Sequence, residues 1–422
     1  MGLKGRACRS VATAIFSLIT LDLPLLASSL AASASHPSLA EPIPAIQDQD
    51  VSSPVSLARE IQAALTEGEV DRARDSLRKL LSRPRLDSDL LLRVGVALAR
   101  SELYAEASEV FARCAKDHPE NFEAHYNLAL AEFAQQKLPE AAAALEASPH
   151  GSPQEEIARS YLGGKIEAAL GKTSKAQRDL EAAFAGAPRE ENYALDLGLF
   201  YVRQRDYRRA TQVLERGVNA NPQSPFLLLG LSLSQLLSGQ QVESVETSRK
   251  ALKLEPDFPP AQLLMVYALY LDGKLEDAQR VAAQGLALPR PSPYLYYLHA
   301  ALSLKRQSRE YDRILEELAI ANRTIPHCSL CYLAQSKAHE ALRDNQAAIA
   351  DLEAAVRANP SFSDAWYRLA ILYRSVGRSE NASGAREQFQ RIKANKDEQE
   401  TEMLRNGLVQ TLSDPQGTTQ PP

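Results

Sequence analysis

Apolar residues along this chain fall into amphipathic stretches of roughly fourteen residues, separated by polar turns. Between residues 195 and 218 the pattern is plain. Leu195, Leu197, Leu199 and Val202 share one stretch, Arg205 and Asp206 break it, and Val213, Leu214 and Val218 carry the next. No segment alternates apolar and polar residues for long enough to predict a strand. The pattern predicts helices throughout, and short turns between amphipathic helices predict antiparallel hairpins.

A second pattern runs through the first. Pairs of small residues stand twelve apart: Gly95 with Ala107, Ala129 with Ala141, Gly164 with Ala176, Gly198 with Ala210, Ser232 with Ser244, Ser336 with Ala348, and Ala370 with Ala382. Val266 with Ala278 keeps the spacing with one larger member, and Ile61 with Ala73 is a weak first pair. Apart from the stretch between 266 and 336, successive pairs are 34 or 35 residues apart, and the prolines at 188, 222 and 256 repeat at 34. Turns are expected near Gly68, Gly171, Gly239, Gly273 and Gly377. Small residues at matching places on two helices let the backbones approach, while Tyr, Leu and Phe fill the space beside them. One such hairpin cannot bury its own apolar faces, so neighbours must stack.

Leu197-Gly198, Tyr201, Tyr207, Ala210, Leu214 and Pro222 stand at spacings that resemble the tetratricopeptide (TPR) repeat. Trp366, Leu369, Ala370, Tyr373, Gly377 and Ala382 do the same, and Gly164, Gly171, Ala176 and Pro188 give a third match. The resemblance covers residues 55–394 in ten units. It implies an all-α fold: a right-handed superhelical solenoid of stacked antiparallel helix pairs that binds other proteins. Three units depart from the pattern. The one at 55–85 is degenerate, and the one at 121–150 is cut short before Pro149. The one at 293–326 has Ile314 where Ala is expected and reads as carrying a one-residue insertion.

On the first helix of each unit, the residues three before, one after and four after the small position share a face. The resemblance implies that this face lines a concave groove for partner segments. It reads Tyr126, Leu130 and Phe133, then Leu195, Leu199 and Val202, then Leu229, Leu233 and Leu236, then Leu263, Tyr267 and Tyr270. Farther on it becomes mixed, with Lys337, Glu340, Tyr367 and Arg374. As partner contacts these side chains should be partly exposed in the free chain; the alternative is that they pack adjacent first helices together. The Lys/Asn pattern with which some relatives clamp a C-terminal carboxylate is not present.

Composition narrows the function classes. The 48 basic and 53 acidic residues nearly cancel, leaving a formal charge of −5, which argues against the basic face that nucleic acid requires. Lys4, Arg6 and Arg9 precede the apolar run Val11–Leu21, and Ala32-Ser33-Ala34 offers a cleavage site, so residues 1–34 read as a signal peptide of bacterial type. Export to the periplasm or beyond is expected, with a mature start near Ser35; an uncleaved anchor or a mere apolar leader is the alternative. Asp22 and Pro24 shorten the apolar run, and no membrane-length apolar stretch follows it, so no stable span is expected after cleavage. Residues 35–54, with four prolines, read as a flexible linker, 395–412 as a charged capping helix and 413–422 as a disordered tail.

Cys328-Ser329-Leu330-Cys331 is the one chemically provocative motif. Haem attachment would need His after Cys331, where Tyr332 stands. A zinc site could gather His327, Cys328, Cys331 and His339 but lacks the neighbouring cysteine pairs. Thiol redox chemistry lacks a thioredoxin-like strand–helix pattern. A local disulfide, or two small residues at a helix start, is the plainer reading. Cys114 falls at a small buried position and reads as a core thiol. With no phosphate loop, nucleophile elbow or metal-binding helix motif, no catalysis, cofactor or metal is expected. The expected function is a protein–protein interaction scaffold. Its rivals are a self-assembling structural protein and a redox protein using the two cysteines.

Overall fold

The structure, a computed structural model, describes residues 53–289 and 291–393. The expected signal peptide, capping helix and tail lie outside these residues, as does the linker up to residue 52. Every regular element among the described residues is a helix. The helices form two compact units that divide within one helix, between Phe200 and Tyr201.

The unit before that point holds four hairpins: α1 (Pro54–Glu67) with α2 (Val70–Leu81), α3 (Ser88–Arg100) with α4 (Tyr104–Asp117), α5 (Phe122–Ala134) with α6 (Leu138–Glu146), and α7 (Pro153–Ala169) with α8 (Thr173–Gly186). It ends in α9 (Glu191–Arg203). The first helices start where the sequence supplies a capping side chain. Ser53, Asp87, Asn121 and Ser152 each accept a bond from a backbone N–H of the first turn, and Glu155 completes a capping box with Ser152. Each cap is worth about 1 kcal/mol. Neighbouring first helices touch, α1 on α3, α3 on α5 and α5 on α7, so their apolar stripes meet inside the stack. The nine-residue α6 ends before Pro149, as the shortened unit predicts.

The second unit continues through α10 (Tyr207–Ala220), α11 (Pro225–Leu237), α12 (Gln241–Leu254), α13 (Pro259–Leu271), α14 (Leu275–Leu286), α15 (Pro293–Lys305), α16 (Tyr311–Thr324), α17 (Ser329–Ala341), α18 (Asn345–Ala358), α19 (Ser363–Ser375) and α20 (379–393). Here too, α11 touches α13, α13 touches α15 and α15 touches α17. The helix pairs form a helical repeat solenoid.

The small-residue register holds at atomic detail. The Ser232 hydroxyl lies 2.9 Å from that of Ser244 and 2.7 Å from that of Ser248, all three buried between α11 and α12. At Gly95 and Gly164 the partner helix comes so near that an added Cβ would stand 2.4 Å from the Phe111 ring and 2.7 Å from Leu180 Cγ. The hairpin turns follow one rule. Each of the ten has a residue with positive φ in the same place: the five predicted glycines, and Glu102, Gln136, Arg205, Gln307 and Arg343 in the others.

One expectation is corrected. Five residues, 306–310, join α15 to α16, where three, 272–274, join α13 to α14. The insertion is therefore two residues, not one. It places buried Ala300 in the small position of α15, with buried Ile314 fourteen residues on in α16. The longer turn accommodates a larger residue than the usual alanine at the hairpin contact.

Candidate functional site

In the first unit, Tyr126 is buried, while Leu130 and Phe133 are half-buried on the same face of α5. Phe122 stacks on Tyr126 with ring centroids 5.7 Å apart, and the Arg159 guanidinium sits over Phe122. One repeat farther on, the corresponding positions on α7 are Tyr161 and Lys165, three before and one after Gly164. The Tyr161 hydroxyl donates to Asp196 Oδ2 at 2.5 Å, Lys165 Nζ lies 2.9 Å from the same oxygen, and the Tyr193 ring packs 4.2 Å from that of Tyr161. Burial, then the neighbouring Asp196 carboxylate, push the Tyr161 hydroxyl well above its ordinary pKa, so it stays a donor. Leu199, at the same register of α9, is buried.

In the second unit, Leu229, Leu233, Leu236, Leu263 and Tyr267 are all at most 5 % exposed. The physical reason lies in their helices. The sequences PFLLLGLSLSQLL of α11 and PPAQLLMVYALYL of α13 are apolar on every side, and a helix apolar all round is buried all round. Thus, of the twelve apolar groove residues read from the sequence, only Leu130, Phe133, Leu195 and Tyr270 keep accessible surface in the free chain. The expected partial exposure fails at the other eight, Val202 among them, which are buried within the helix stack.

Tyr270 opens onto a different feature, a cavity of about 560 Å³ bounded by α13, α15, α17 and α19. Tyr297, Leu298, Ala301, Leu302 and Leu304 of α15 form its floor with Leu330, Leu333 and Ala334 of α17. The Lys305 ammonium sits 4.0 Å above the Tyr270 ring, a cation–π contact at the rim. Lys337 stands inside. It is solvent-accessible by area yet crowded by the surrounding helices, and that desolvation, then the Arg368 guanidinium, lower its pKa below the ordinary lysine value. Arg368 is bound to Glu340 at 2.7 Å, and Asp364 completes the charged end. Burial raises the Tyr297 phenol well above its usual pKa.

Tyr297, Ala301 and Leu304 occupy the groove register of α15, three before, one after and four after Ala300. The misread insertion hid them. Tyr161 and Lys165 were within reach, because Gly164 already marked their register. Of the mixed positions, Lys337, Tyr367 and Arg374 are exposed and Glu340 is half-buried. Cys328 and Cys331 are joined by a disulfide at the start of α17, both sulfurs buried against the helix. Cys114 is fully buried, and burial raises its thiol to about 12. Among the described residues no cluster of His, Cys, Asp or Glu has the makings of a metal site.

The sequence profile of the tetratricopeptide repeat family matches residues 59–114, 100–156, 161–225 and 333–398, more than half of the chain. This chain is a tetratricopeptide-repeat protein. Arrays of this family serve as protein-interaction scaffolds, and the chain is built as one. It is 27 % identical over 84 residues to the protein STIP1 homolog of Dictyostelium discoideum, a match spanning 20 % of this chain and 15 % of that protein. A tetratricopeptide repeat protein from Parabacteroides merdae resembles it with a TM-score of 0.43 and 18 % identity, over 68 % of this chain and 99 % of the other. The human IFIT1 dimer with m7Gppp-AAAA does so with a TM-score of 0.42 and 15 % identity, over 82 % of this chain and 83 % of the other. At these values the likenesses carry nothing about ligands. Among the described residues no helix is long and apolar enough to cross a membrane.

Proposed function

We propose that this protein is an exported scaffold that holds a segment of another envelope or secreted protein, and that the cavity bounded by α13, α15, α17 and α19 is where the segment sits. The observation that carries the reading is the cavity itself. It is about 560 Å³, lined by tyrosine and leucine and edged by Lys305 and Lys337, with Tyr297, Ala301 and Lys337 at the register where TPR first helices face a partner. Buried apolar anchors beside a polar rim are the usual anatomy of a protein-binding surface. The basic start and small-residue site of the first 34 residues support export.

The test is capture from the envelope fraction with the full chain and with Ala301→Arg, which sets a long cationic side chain into the cavity floor. A partner retained by the parent and lost from the variant, with an unchanged melting temperature, supports the reading. Equal retention by both would remove the cavity as the site. Export is tested separately, by the N-terminus of the protein recovered outside the cytoplasm, which should lie near Ser35.

A further inference from the structure

Two ammonium groups bear on what the cavity could hold. Lys305 and Lys337 face it, and neither forms an ion pair among the described residues. Most other cationic groups nearby are tied. Arg368 is held by Glu340, and Arg306 by Glu276 at 3.2 Å and by Gln279 at 2.8 Å. Lys305 instead rests on the face of Tyr270, and Lys337 has Arg368, Asp364 and Glu340 as its charged neighbours. Lys337 is partly desolvated, and a ligand carboxylate that pairs with it offsets that cost, while the exposed Lys305 adds a second positive charge at the rim. Between and below the two ammonium groups the floor is apolar, with Tyr297 and Leu333 buried and Ala301 half-buried.

We propose that the occupant of this cavity is an acidic peptide segment, in which an apolar side chain enters over Tyr297 and Ala301 while flanking Asp or Glu carboxylates pair with Lys305 and Lys337. This rests on the reading of the cavity as the partner site. Charge complementarity is what favours a short acidic peptide. A polyanion such as nucleic acid would meet a chain of net charge −5. The two lysines lie on helices of different hairpins, α15 and α17, so a bound segment must run across the first helices rather than along one of them.

The experiment is selection of a random peptide library displayed on phage against the immobilised full chain. It is run in parallel against Lys305→Met/Lys337→Met, which keeps most of the side-chain length and removes both charges, and against Ala301→Arg. Melting temperatures of the three proteins establish that all are folded. The expected result is enrichment of peptides combining Asp or Glu with a large apolar residue. Their affinity should fall roughly tenfold or more in the double lysine variant and weaken as salt is raised. If enriched peptides lack acidic residues, bind the double variant equally well and are lost only with Ala301→Arg, the acidic occupant is overturned and the cavity remains the site. If no peptide is enriched over the Ala301→Arg protein, both readings fall.

Discussion

Gly163 and Gly164 are neighbours in the interior of α7, yet the structure assigns opposite outcomes to the same substitution at each. Replacing a helix-interior glycine by alanine stabilises by roughly 0.5–1 kcal/mol through backbone entropy and helix propensity alone. At Gly163 the new methyl would lie 3.5 Å from Leu145 Cδ2 and 3.7 Å from Asp179 Oδ2, which is ordinary contact. Gly163→Ala should therefore keep that gain. At Gly164 it would lie 2.7 Å from Leu180 Cγ and 3.0 Å from the backbone nitrogen of Leu180. A leucine tip can turn aside, but the backbone nitrogen can move only if α7 and α8 separate. Overpacking of that kind costs about 1–3 kcal/mol, so the net change for Gly164→Ala is a loss of up to roughly 2 kcal/mol. The two variants should differ by about 1–3 kcal/mol, since the propensity gain is common to both. Repeat arrays need not melt in one step, so hydrogen exchange of the α7 and α8 amides is the decisive measurement, with the melting temperature beside it. Equal protection in the two variants would refute the register on which the hairpin contact rests.

Tyr267→Ala and Tyr270→Ala, read as two sites of one groove in the sequence, should separate. The buried Tyr267 should cost about 3–5 kcal/mol of stability, while Tyr270→Ala should melt within about 1 kcal/mol of the parent. Arg343→Gly should stabilise by roughly 0.5–1 kcal/mol, because Arg343 sits at φ 63° in a turn where five sister hairpins use glycine; an unchanged or lower denaturation midpoint would count against this. Alkylation of the folded, unreduced protein should leave Cys114 untouched, and denaturation without reductant should release its thiol while Cys328 and Cys331 stay unmodified, as mass spectrometry of the peptides will read.

How far the sequence could be trusted depended on which residues carried the signal. The spacing of small residues located the hairpins because a small residue there has one physical meaning, close approach of two backbones; Ser232 meeting Ser244 is that meaning made visible. The turn glycines were legible for the same reason. Glu102, Gln136, Arg205, Gln307 and Arg343 occupy the same strained conformation without advertising it in their chemistry. The groove was harder. Leucine and tyrosine at the right register serve equally to fill a seam between helices or to line an open surface, and only the approach of the next first helix decides. On α13 that approach buried Leu263 and Tyr267 and left Tyr270 at the edge. At α15 the five-residue turn moved the second helix of the pair, so Ala300 had no small partner twelve residues on, and the register that places Tyr297 and Ala301 at the cavity went unmarked.

The principal helix contacts join helices one or two places apart along the chain. The first consequence is temporal. Loop closure is nearly free when partners are sequence neighbours, so folding need not wait for the far end of the polypeptide. As the chain emerges from the ribosome, each hairpin can dock on its predecessor once it has been made, while the hairpin after it is still being synthesised. The same locality means that the newest hairpin always shows an uncovered apolar edge until its successor arrives. A growing array of this kind is exposed to misassembly at its moving end rather than along its finished length.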